Sequence, residues 1–285
     1  MDQKIMDLFD EYKHASLDRR GFLKRLTALA GSTAAAYALL PLLENSYAQA
    51  EIVAKDDPNL ITETIHYPGK TGDITAYLAR PKGDAKLPGV IVISEIWGLN
   101  PHIEDVTRRA AQAGFLAIAP DPLSPHGGTP KETEKAMALM RQLDGPSTTE
   151  NFVAAIKYLK TRPLSTGKVG CVGFCWGGGM ANQMAVASPD LSAAVPFYGR
   201  VAAVEDVPKI KASLLLQYAG LDERINAGIP AFEEALKKAS INYQLFIYPD
   251  ANHAFHNDTG PRYNKEAAEL AWKRTISFFN EKLRK

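Results

Sequence analysis

Cysteine is scarce in this sequence, with Cys171 and Cys175 as the only two among 285 residues. A disulfide between them is excluded by the distance between their α-carbons. Four residues of extended chain separate their α-carbons by roughly 13 Å, whereas a disulfide needs less than about 7 Å. Cys171 is therefore predicted to be a small apolar residue of a strand. Cys175 is predicted to be a free thiol with a functional role.

An excess of charge of either sign is also lacking, since 33 Lys and Arg stand against 32 Asp and Glu. This balance excludes a strongly basic surface for nucleic acid or for acidic substrates. The sequence has no internal repeat and no low-complexity stretch. Its glycines fit neither the phosphate-binding G-x-x-x-x-G-K-[ST] pattern nor a dinucleotide fingerprint, so no cofactor is predicted.

The first fifty residues differ from the rest. They contain a twin-arginine segment at residues 18–24 (DRRGFLK), an uncharged run at 26–43 and an A-x-A site at 48–50. This pattern predicts a twin-arginine signal peptide over residues 1–50, cleaved before Glu51. The chain would then use the twin-arginine export machinery and reside in the periplasm or outside the cell, without stable membrane association after cleavage. A retained membrane anchor is the alternative, because the run is just long enough to span a bilayer.

After residue 58, short β-rich runs alternate with helical stretches. This alternation predicts a single α/β domain over residues 59–285, after a short linker at 51–58, with a mostly parallel eight-stranded sheet flanked by helices. The predicted strands are residues 61–66, 74–78, 90–94, 115–119, 169–174, 193–198, 213–218 and 243–248. The predicted helices are residues 103–113, 131–143, 149–161, 178–188, 229–239 and 264–282.

A G-x-C-x-G turn follows the fifth predicted strand, within residues 173–179 (GFCWGGG). Such a junction of strand, turn and helix holds a nucleophile clear of the backbone at the carboxyl end of the strand. The flanking glycines leave room where side chains would collide in so tight a turn. Cys175 therefore occupies the position of a nucleophile, and the turn predicts a hydrolase that uses a thiolate.

A cysteine nucleophile needs a base within hydrogen-bond reach and an acid that orients this base. After such a turn the acid precedes the histidine in chain order. His253 comes just after the last predicted strand and is predicted as the base, with His256 as the weaker candidate. Asp222 follows the penultimate strand and is predicted as the acid, while Asp250 competes weakly. A loop histidine and a helix-capping aspartate are the ordinary alternatives.

Two backbone N–H groups are expected to stabilise the oxyanion of an acyl-transfer reaction. One belongs to Trp176, directly after Cys175, at a helix N-terminus whose dipole favours negative charge. The other is expected after the strand at 90–94, where Ile96 is the best candidate. All these residues fall at the carboxyl ends of strands, where ligands bind in open α/β sheets.

These segments together resemble the dienelactone hydrolase (carboxymethylenebutenolidase) family of α/β-hydrolases. The resemblance covers nearly all of the chain after about residue 59 and rests on residues 95–98 (EIWG), 170–178 (GCVGFCWGG), 197–199 (FYG), 220–222 (GLD) and 252–255 (NHAF). It implies a triad of Cys175, His253 and Asp222. It also implies that Glu95 contacts the resting nucleophile, shields the thiol and is displaced by substrate. A role for Glu95 as a simple turn residue is the alternative.

The sequence departs from this family where a substrate carboxylate is held. Two arginines hold it in the family's archetypes, and their ungapped positions are Thr133 and Asn257 here. Nearby cations that could substitute are Lys131, Lys135, Arg141 and Arg262. The resemblance therefore carries over the fold and the nucleophile but leaves the substrate open, because a fold does not determine a substrate.

The predicted function is that of an exported hydrolase of small esters or lactones, acting through an acyl-cysteine intermediate. Trp97, Trp176 and Tyr198 are expected to line a pocket for an aromatic or cyclic substrate, unless they only pack in the core. Thioester or organophosphate hydrolysis and a non-catalytic binding role stay open as alternatives. No metal is predicted, because a site at His253 and His256 would lack further nearby ligands.

Overall fold

The computed structural model describes residues 2–14, 17–43 and 51–284. By its internal contacts the chain divides into two units, one of residues 1–50 with 258–261 and the other of residues 51–257 with 262–285. Each unit has apolar clusters of its own.

The described part of the first fifty residues forms three helices, α1 (Gln3–His14), α2 (Arg19–Ala30) and α3 (Thr33–Leu43). The side chain of Asp18 accepts a hydrogen bond from the N–H of Gly21 and caps α2. Gly31 ends α2 with a φ of 79°, a conformation that glycine adopts without strain. The uncharged run is therefore split into two helices rather than one. The predicted cleavage site at residues 48–50 lies outside the described residues.

No single helix within the described ranges is both long and apolar enough to cross a membrane. The pair α2 and α3 together reaches that length and composition, but the two helices are bent by 111° at their junction.

Eight strands form one sheet in the order β1-β2-β4-β3-β5-β6-β7-β8. β2 runs antiparallel to both of its neighbours, and all other pairs are parallel. The strands are β1 (Leu60–Gly69), β2 (Gly72–Pro81), β3 (Leu87–Ile93), β4 (Leu116–Pro120), β5 (Ser165–Phe174), β6 (Ala193–Phe197), β7 (Ser213–Ala219) and β8 (Tyr243–Tyr248). The predicted fold class, a mostly parallel eight-stranded sheet flanked by helices, is confirmed.

Helices cover both faces of this sheet. The helices of this unit are α4 (Pro101–Gln112), α5 (Thr133–Met140), α6 (Gly145–Lys160), α7 (Trp176–Ala187), α8 (Glu223–Asn226), α9 (Ile229–Lys238) and α10 (Lys265–Leu283). Alternate residues of β3 face opposite layers, since Val90 and Val92 pack with α4 and α10, whereas Ile91 and Ile93 pack with α6, α7 and α9. Because both faces are covered, the central strands are continuously apolar.

Local capping sets the start of α6. This helix was predicted to begin at residue 149, but in the structure it begins at Gly145. The earlier start is explained by a cap, because Asp144 accepts a hydrogen bond of 2.9 Å from the N–H of Ser147. The helix after the cysteine turn likewise begins at Trp176 rather than at residue 178, so its first N–H groups lie next to Cys175.

The segment expected as a linker, residues 51–58, is fastened to α4 at its start. Arg108, which is fully buried, donates from Nε to the carbonyl of Val53 at 2.7 Å and pairs with the Glu51 carboxylate at 2.6 Å. The N–H of Val53 donates to Asp105 at 2.8 Å. Glu51 and Val53 therefore belong structurally to the sheet-containing unit.

Candidate active site

The turn between β5 and α7 holds Cys175 in a backbone conformation that side chains rarely adopt, with φ 57° and ψ −111°. Its N–H donates to the carbonyl of Phe197 at 3.0 Å. A β-carbon on Gly173 would lie 2.0 Å from the carbonyl oxygen of Gly177, so only glycine fits there. Residues in such conformations cluster at functional sites, where the surrounding structure holds them in place.

A second close approach ties α7 to the end of β6. A β-carbon on Gly178 would lie 2.4 Å from the carbonyl oxygen of Phe197, and one on Gly199 would lie 2.2 Å from the backbone of Gly178. The two segments therefore meet backbone to backbone. This contact brings Arg200, the next residue of the chain, against the first turns of α7.

His253 and Asp222 form a buried pair. Nδ1 of His253 lies 2.5 Å from Oδ2 of Asp222, and these residues are 2% and 6% exposed. Asp222 also caps α8 by accepting from the N–H of Ile225 at 3.3 Å. With the proton on Nδ1, the histidine donates to the carboxylate and its Nε2 is left as the basic nitrogen.

The environment of Asp222 favours its ionised form. Burial alone would raise the pKa of this carboxyl, but the hydrogen bond from His253 and the charges of His253 and Arg224 outweigh it and lower the pKa. Asp222 is therefore an anion at neutral pH and suits the orientation of a histidine base.

Tyr198 lies at the centre of the site. Its ring packs 5.1 Å from that of His253, measured between centroids, and its hydroxyl lies 3.5 Å from Oε1 of Glu95. Burial, followed by the negative charges of Glu95 and Cys175, raises the pKa of its phenol well above the ordinary value. Tyr198 is thus a neutral, fully buried residue that contacts both His253 and Glu95.

Glu95 follows β3 and is 1% exposed. Nδ2 of Asn257 donates to Oε2 of Glu95 at 2.5 Å, across 162 residues of chain. Asn257 is one of the two positions where the family's arginines were expected, and here it holds a carboxylate of the protein itself. No local pattern in the sequence predicts this pair, since 162 residues separate the two positions.

The two predicted oxyanion donors follow the ends of strands β5 and β3, as expected from the sequence. Trp176 is the first residue of α7, so its N–H is among the donors that a helix leaves without a partner. The N–H of Ile96, just past β3, makes no hydrogen bond within the residues that the structure describes. Both groups are therefore available to an oxyanion.

The rival residues lie elsewhere. His256 stacks on Phe174 with ring centroids 4.8 Å apart and also contacts Trp272, on the side of α10. Asp250 is exposed, in contrast to Asp222. In the described part of the chain, no group of three or more His, Cys, Asp or Glu side chains is arranged to hold a metal ion.

An open cleft of about 730 Å³ lies beside Cys175. Trp176, Met180 and Phe232 contribute apolar surface to its wall, while Gln183, Arg200 and Glu205 are its polar side chains. Arg200 was not singled out from the sequence, although it directly follows the FYG segment at the end of β6.

Of the three aromatic residues expected in a pocket, Trp176 lines this cleft. Trp97 packs instead in an apolar cluster with Leu123 and Met137, and Tyr198 is fully buried. Thr133 is the first residue of α5. Thr133 does not line the cleft, and neither do the cations considered as substitutes for the arginines, Lys131, Lys135, Arg141 and Arg262.

A nucleophile position after β5, an acid after β7 and a histidine after β8, in this order and on a sheet of this topology, define an α/β-hydrolase. Within that class, the chain belongs to the dienelactone hydrolase family, whose model matches residues 74–283. The kind of enzyme predicted from the sequence, a hydrolase of carboxylic esters or lactones, is thereby confirmed. A second family model, described as YqhI-like, matches residues 1–31.

Relatives agree with this assignment over most of their length. The chain is 36% identical to a "putative carboxymethylenebutenolidase" of Saccharolobus solfataricus, covering 75% of this chain and 96% of the relative. It is 31% identical to one of Methylorubrum extorquens, covering 93% and 96%. The crystal structure of a "putative dienelactone hydrolase" from Klebsiella pneumoniae matches with a TM-score of 0.71 and 28% identity, covering 78% of this chain and 99% of that one.

Proposed function

We propose that this protein hydrolyses small carboxylic esters or lactones with Cys175 as nucleophile, His253 as base and Asp222 as the acid that orients His253. The position of Cys175 carries the proposal. The residue sits in the strained turn, on the wall of the 730 Å³ cleft. The ring of His253, which pairs with Asp222, packs against Tyr198, and the charge of Cys175 contributes to the raised pKa of the same tyrosine.

In the first half of the reaction, the thiol proton of Cys175 passes to His253, either directly or initially by way of Glu95. The thiolate then forms a bond to the carbonyl carbon, and the electron pair of the C=O bond moves to oxygen. The N–H groups of Ile96 and Trp176 stabilise that oxyanion. Collapse breaks the C–O bond, and His253 protonates the leaving alkoxide, so that an acyl thioester of Cys175 remains.

In the second half, His253 takes a proton from water, and the resulting hydroxide attacks the thioester carbonyl. The C–S bond breaks, the carboxylic acid leaves and Cys175 recovers its proton. Asp222 stays ionised throughout and stabilises the imidazolium form of His253.

Acyl transfer to Cys175 can be detected by quenching the full-length protein during turnover of 4-nitrophenyl acetate and of a small lactone, followed by peptide mass spectrometry. We expect one acyl group on the peptide that contains both cysteines, assigned by fragmentation to Cys175. Cys171 is the internal control, because burial raises the pKa of its thiol and keeps it unreactive. Turnover with an acyl group on another residue, or with none, would contradict the proposal.

Glu95 is proposed to suppress the reactivity of Cys175 at rest, because a neighbouring carboxylate disfavours a thiolate. The charges of both residues act on the hydroxyl of Tyr198, which supports their proximity. With Glu95→Gln, which removes the charge and keeps the shape, we expect alkylation of Cys175 by iodoacetamide at pH 7 to accelerate about tenfold. Glu205→Gln, at an exposed carboxylate of the cleft wall, is the matched control. Equal rates in Glu95→Gln and the unsubstituted protein would rule out this role.

Residues 1–50 are proposed to direct twin-arginine export to the periplasm or the medium. The sequence pattern supports this, and so does the attachment of Glu51 and Val53 to α4, because cleavage before Glu51 would leave that attachment in place. Fractionation and N-terminal sequencing of the protein from export-competent cells should find a chain that begins at Glu51. Arg19→Lys together with Arg20→Lys should leave it in the cytoplasm. An unsubstituted chain that stays there with an intact N-terminus would contradict export.

A further inference from the structure

Asp121 is a buried carboxylate that the proposed mechanism does not use. It directly follows β4 and is 5% exposed. Its Oδ2 accepts a hydrogen bond of 2.7 Å from the N–H of Thr129. Its Oδ1 accepts one of 2.7 Å from the Thr129 hydroxyl and one of 2.9 Å from the N–H of Leu123. Because a carboxylate is a stronger acceptor than a neutral oxygen, Asp121 fixes the place of the Thr129 hydroxyl.

The segment that begins at Asp121 is also tied to the sheet. The N–H of Asp121 donates to the carbonyl of Thr75 in β2 at 2.8 Å, and the N–H of Thr75 donates to the Ser124 hydroxyl at 3.0 Å. That hydroxyl in turn donates to the carbonyl of Asp121 at 2.7 Å. Since β2 is paired with a strand on each side, these bonds give the segment a rigid base.

Thr129 contacts the turn at residues 95–98, which follows β3. Its hydroxyl accepts a hydrogen bond of 3.0 Å from the N–H of Leu99, directly after this turn. The N–H of Gly98 donates to the carbonyl of Glu95 at 3.3 Å and closes the turn. Gly98 has a φ of 71°, and a β-carbon on it would lie 2.3 Å from the Thr129 hydroxyl oxygen. The turn therefore rests directly on Thr129.

Apolar contacts hold the same turn from its other side chains. Ile96 and Trp97 belong to one buried cluster with Leu123 and with Met137 of α5. Leu123 is fully buried, and its N–H is one of the donors to Asp121. An oxyanion donor must point at the place where the negative charge forms, and displacement of a preorganised donor weakens that stabilisation. The support of this turn therefore bears on the N–H of Ile96.

We propose that Thr129, held by Asp121, is a positioning residue for the oxyanion site. Its hydroxyl sets the place of the turn at residues 95–98 and thereby the direction of the Ile96 N–H. Neither Thr129 nor Asp121 touches the reacting atoms. The inference rests on the proposed function, since it needs an oxyanion to form on a substrate attacked by Cys175. Because the oxyanion forms only in the reaction, the effect falls on kcat and not on KM.

Thr129→Val keeps the shape of the side chain and removes its hydroxyl. On 4-nitrophenyl acetate, we expect kcat of the full-length protein to fall about 10- to 100-fold, somewhat less than for loss of a whole oxyanion donor. KM should stay within about threefold. Thr129→Ser restores the hydroxyl and should regain most of the lost activity.

Thr107→Val is the matched control. It removes the hydroxyl of another threonine, which is fully buried in α4 and donates to the carbonyl of Ile103 at 2.7 Å within the same helix. Its kcat should stay within about twofold of the unsubstituted protein, because this hydrogen bond does not involve the turn.

Two inhibitors separate the oxyanion from the rest of binding. A phenethyl trifluoromethyl ketone is attacked by the thiolate of Cys175, so that a C–S bond forms, the electron pair of the C=O bond moves to oxygen and His253 keeps the thiol proton. The corresponding trifluoromethyl alcohol has a similar shape and cannot be attacked. Thr129→Val should weaken inhibition by the ketone about 10- to 100-fold and by the alcohol less than about threefold.

Asp121→Asn tests the same hydrogen bond from its other end, and it serves also if Thr129→Val does not fold. The amide keeps the shape of the carboxylate but loses its charge and one of its acceptor oxygens. Inhibition by the ketone should again weaken more than inhibition by the alcohol.

The possible failures of the two proposals differ. Equal losses for ketone and alcohol in Thr129→Val, or unchanged kcat and inhibition, would overturn the role of Thr129 and leave the proposed function intact. A loss of kcat in Thr107→Val as large as that in Thr129→Val would do the same. An unsubstituted protein that neither hydrolyses the ester nor forms the adduct with the ketone would contradict the proposed function and this inference together.

Discussion

Replacement of Cys175 by alanine is expected to lower kcat/KM on small esters by about 10⁴- to 10⁶-fold, to the level set by the remaining oxyanion donors. The substitution removes the sulfur atom that forms the acyl intermediate in the proposed mechanism. It keeps the backbone, since alanine and cysteine meet the same strain at φ 57°. The rate is measured by release of 4-nitrophenol from the full-length protein, with circular dichroism to verify the fold.

Cys171→Ala is the control for this substitution, because Cys171 is the other thiol and lies four positions earlier in the same segment. It is fully buried in β5, so the variant should lose about 1 kcal/mol of unfolding free energy and keep its turnover. Cys175→Ser should retain a small part of the activity, since a hydroxyl is harder to deprotonate than a thiol. Cys175→Ala with full turnover would exclude a cysteine nucleophile.

Asp222→Asn should lower kcat/KM by about 10³- to 10⁴-fold while leaving the site almost unchanged in shape. An amide can turn its NH₂ toward Nδ1 of His253, and the imidazole then carries its proton on Nε2, where the base is needed. The control is Asp250→Asn, an exposed residue near His253, for which turnover should stay within about twofold. Equal losses of kcat/KM in the two variants would exclude Asp222 as the acid that orients His253.

Asp222→Asn is also expected to change how the free energy of unfolding depends on pH. Because the folded protein lowers the pKa of Asp222 from its ordinary 3.8, the carboxylate stabilises the fold above that value, and this contribution disappears as pH falls through the lowered value. Urea unfolding of the unsubstituted protein and of Asp222→Asn should therefore differ most at neutral pH and converge as the pH falls below 3.8. A gap that widens on acidification would contradict the direction of the shift.

The strands could be predicted because a strand that is buried on both faces appears in the sequence as a short, continuously apolar run. β8 was predicted with the bounds that the structure has, and the other strands within a few residues. Helix ends were predicted less well, since they depend on caps such as Asp144. The cysteine turn could also be predicted from a short segment. Its glycines lie within a few residues of Cys175, at positions where a side chain would collide with the backbone.

The sequence by itself determined the fold class, the turn that presents Cys175 and the order in which Asp222 and His253 follow it, because these depend on periodicity and on steric limits within short segments. Only the tertiary structure decided which side chains meet across the sheet edge. The contact of Asn257 with Glu95 spans 162 residues. The approach of Gly199 to Gly178, which carries Arg200 to the cleft, joins different elements. Such contacts arise from how strands and helices pack, and no pattern within either segment records them.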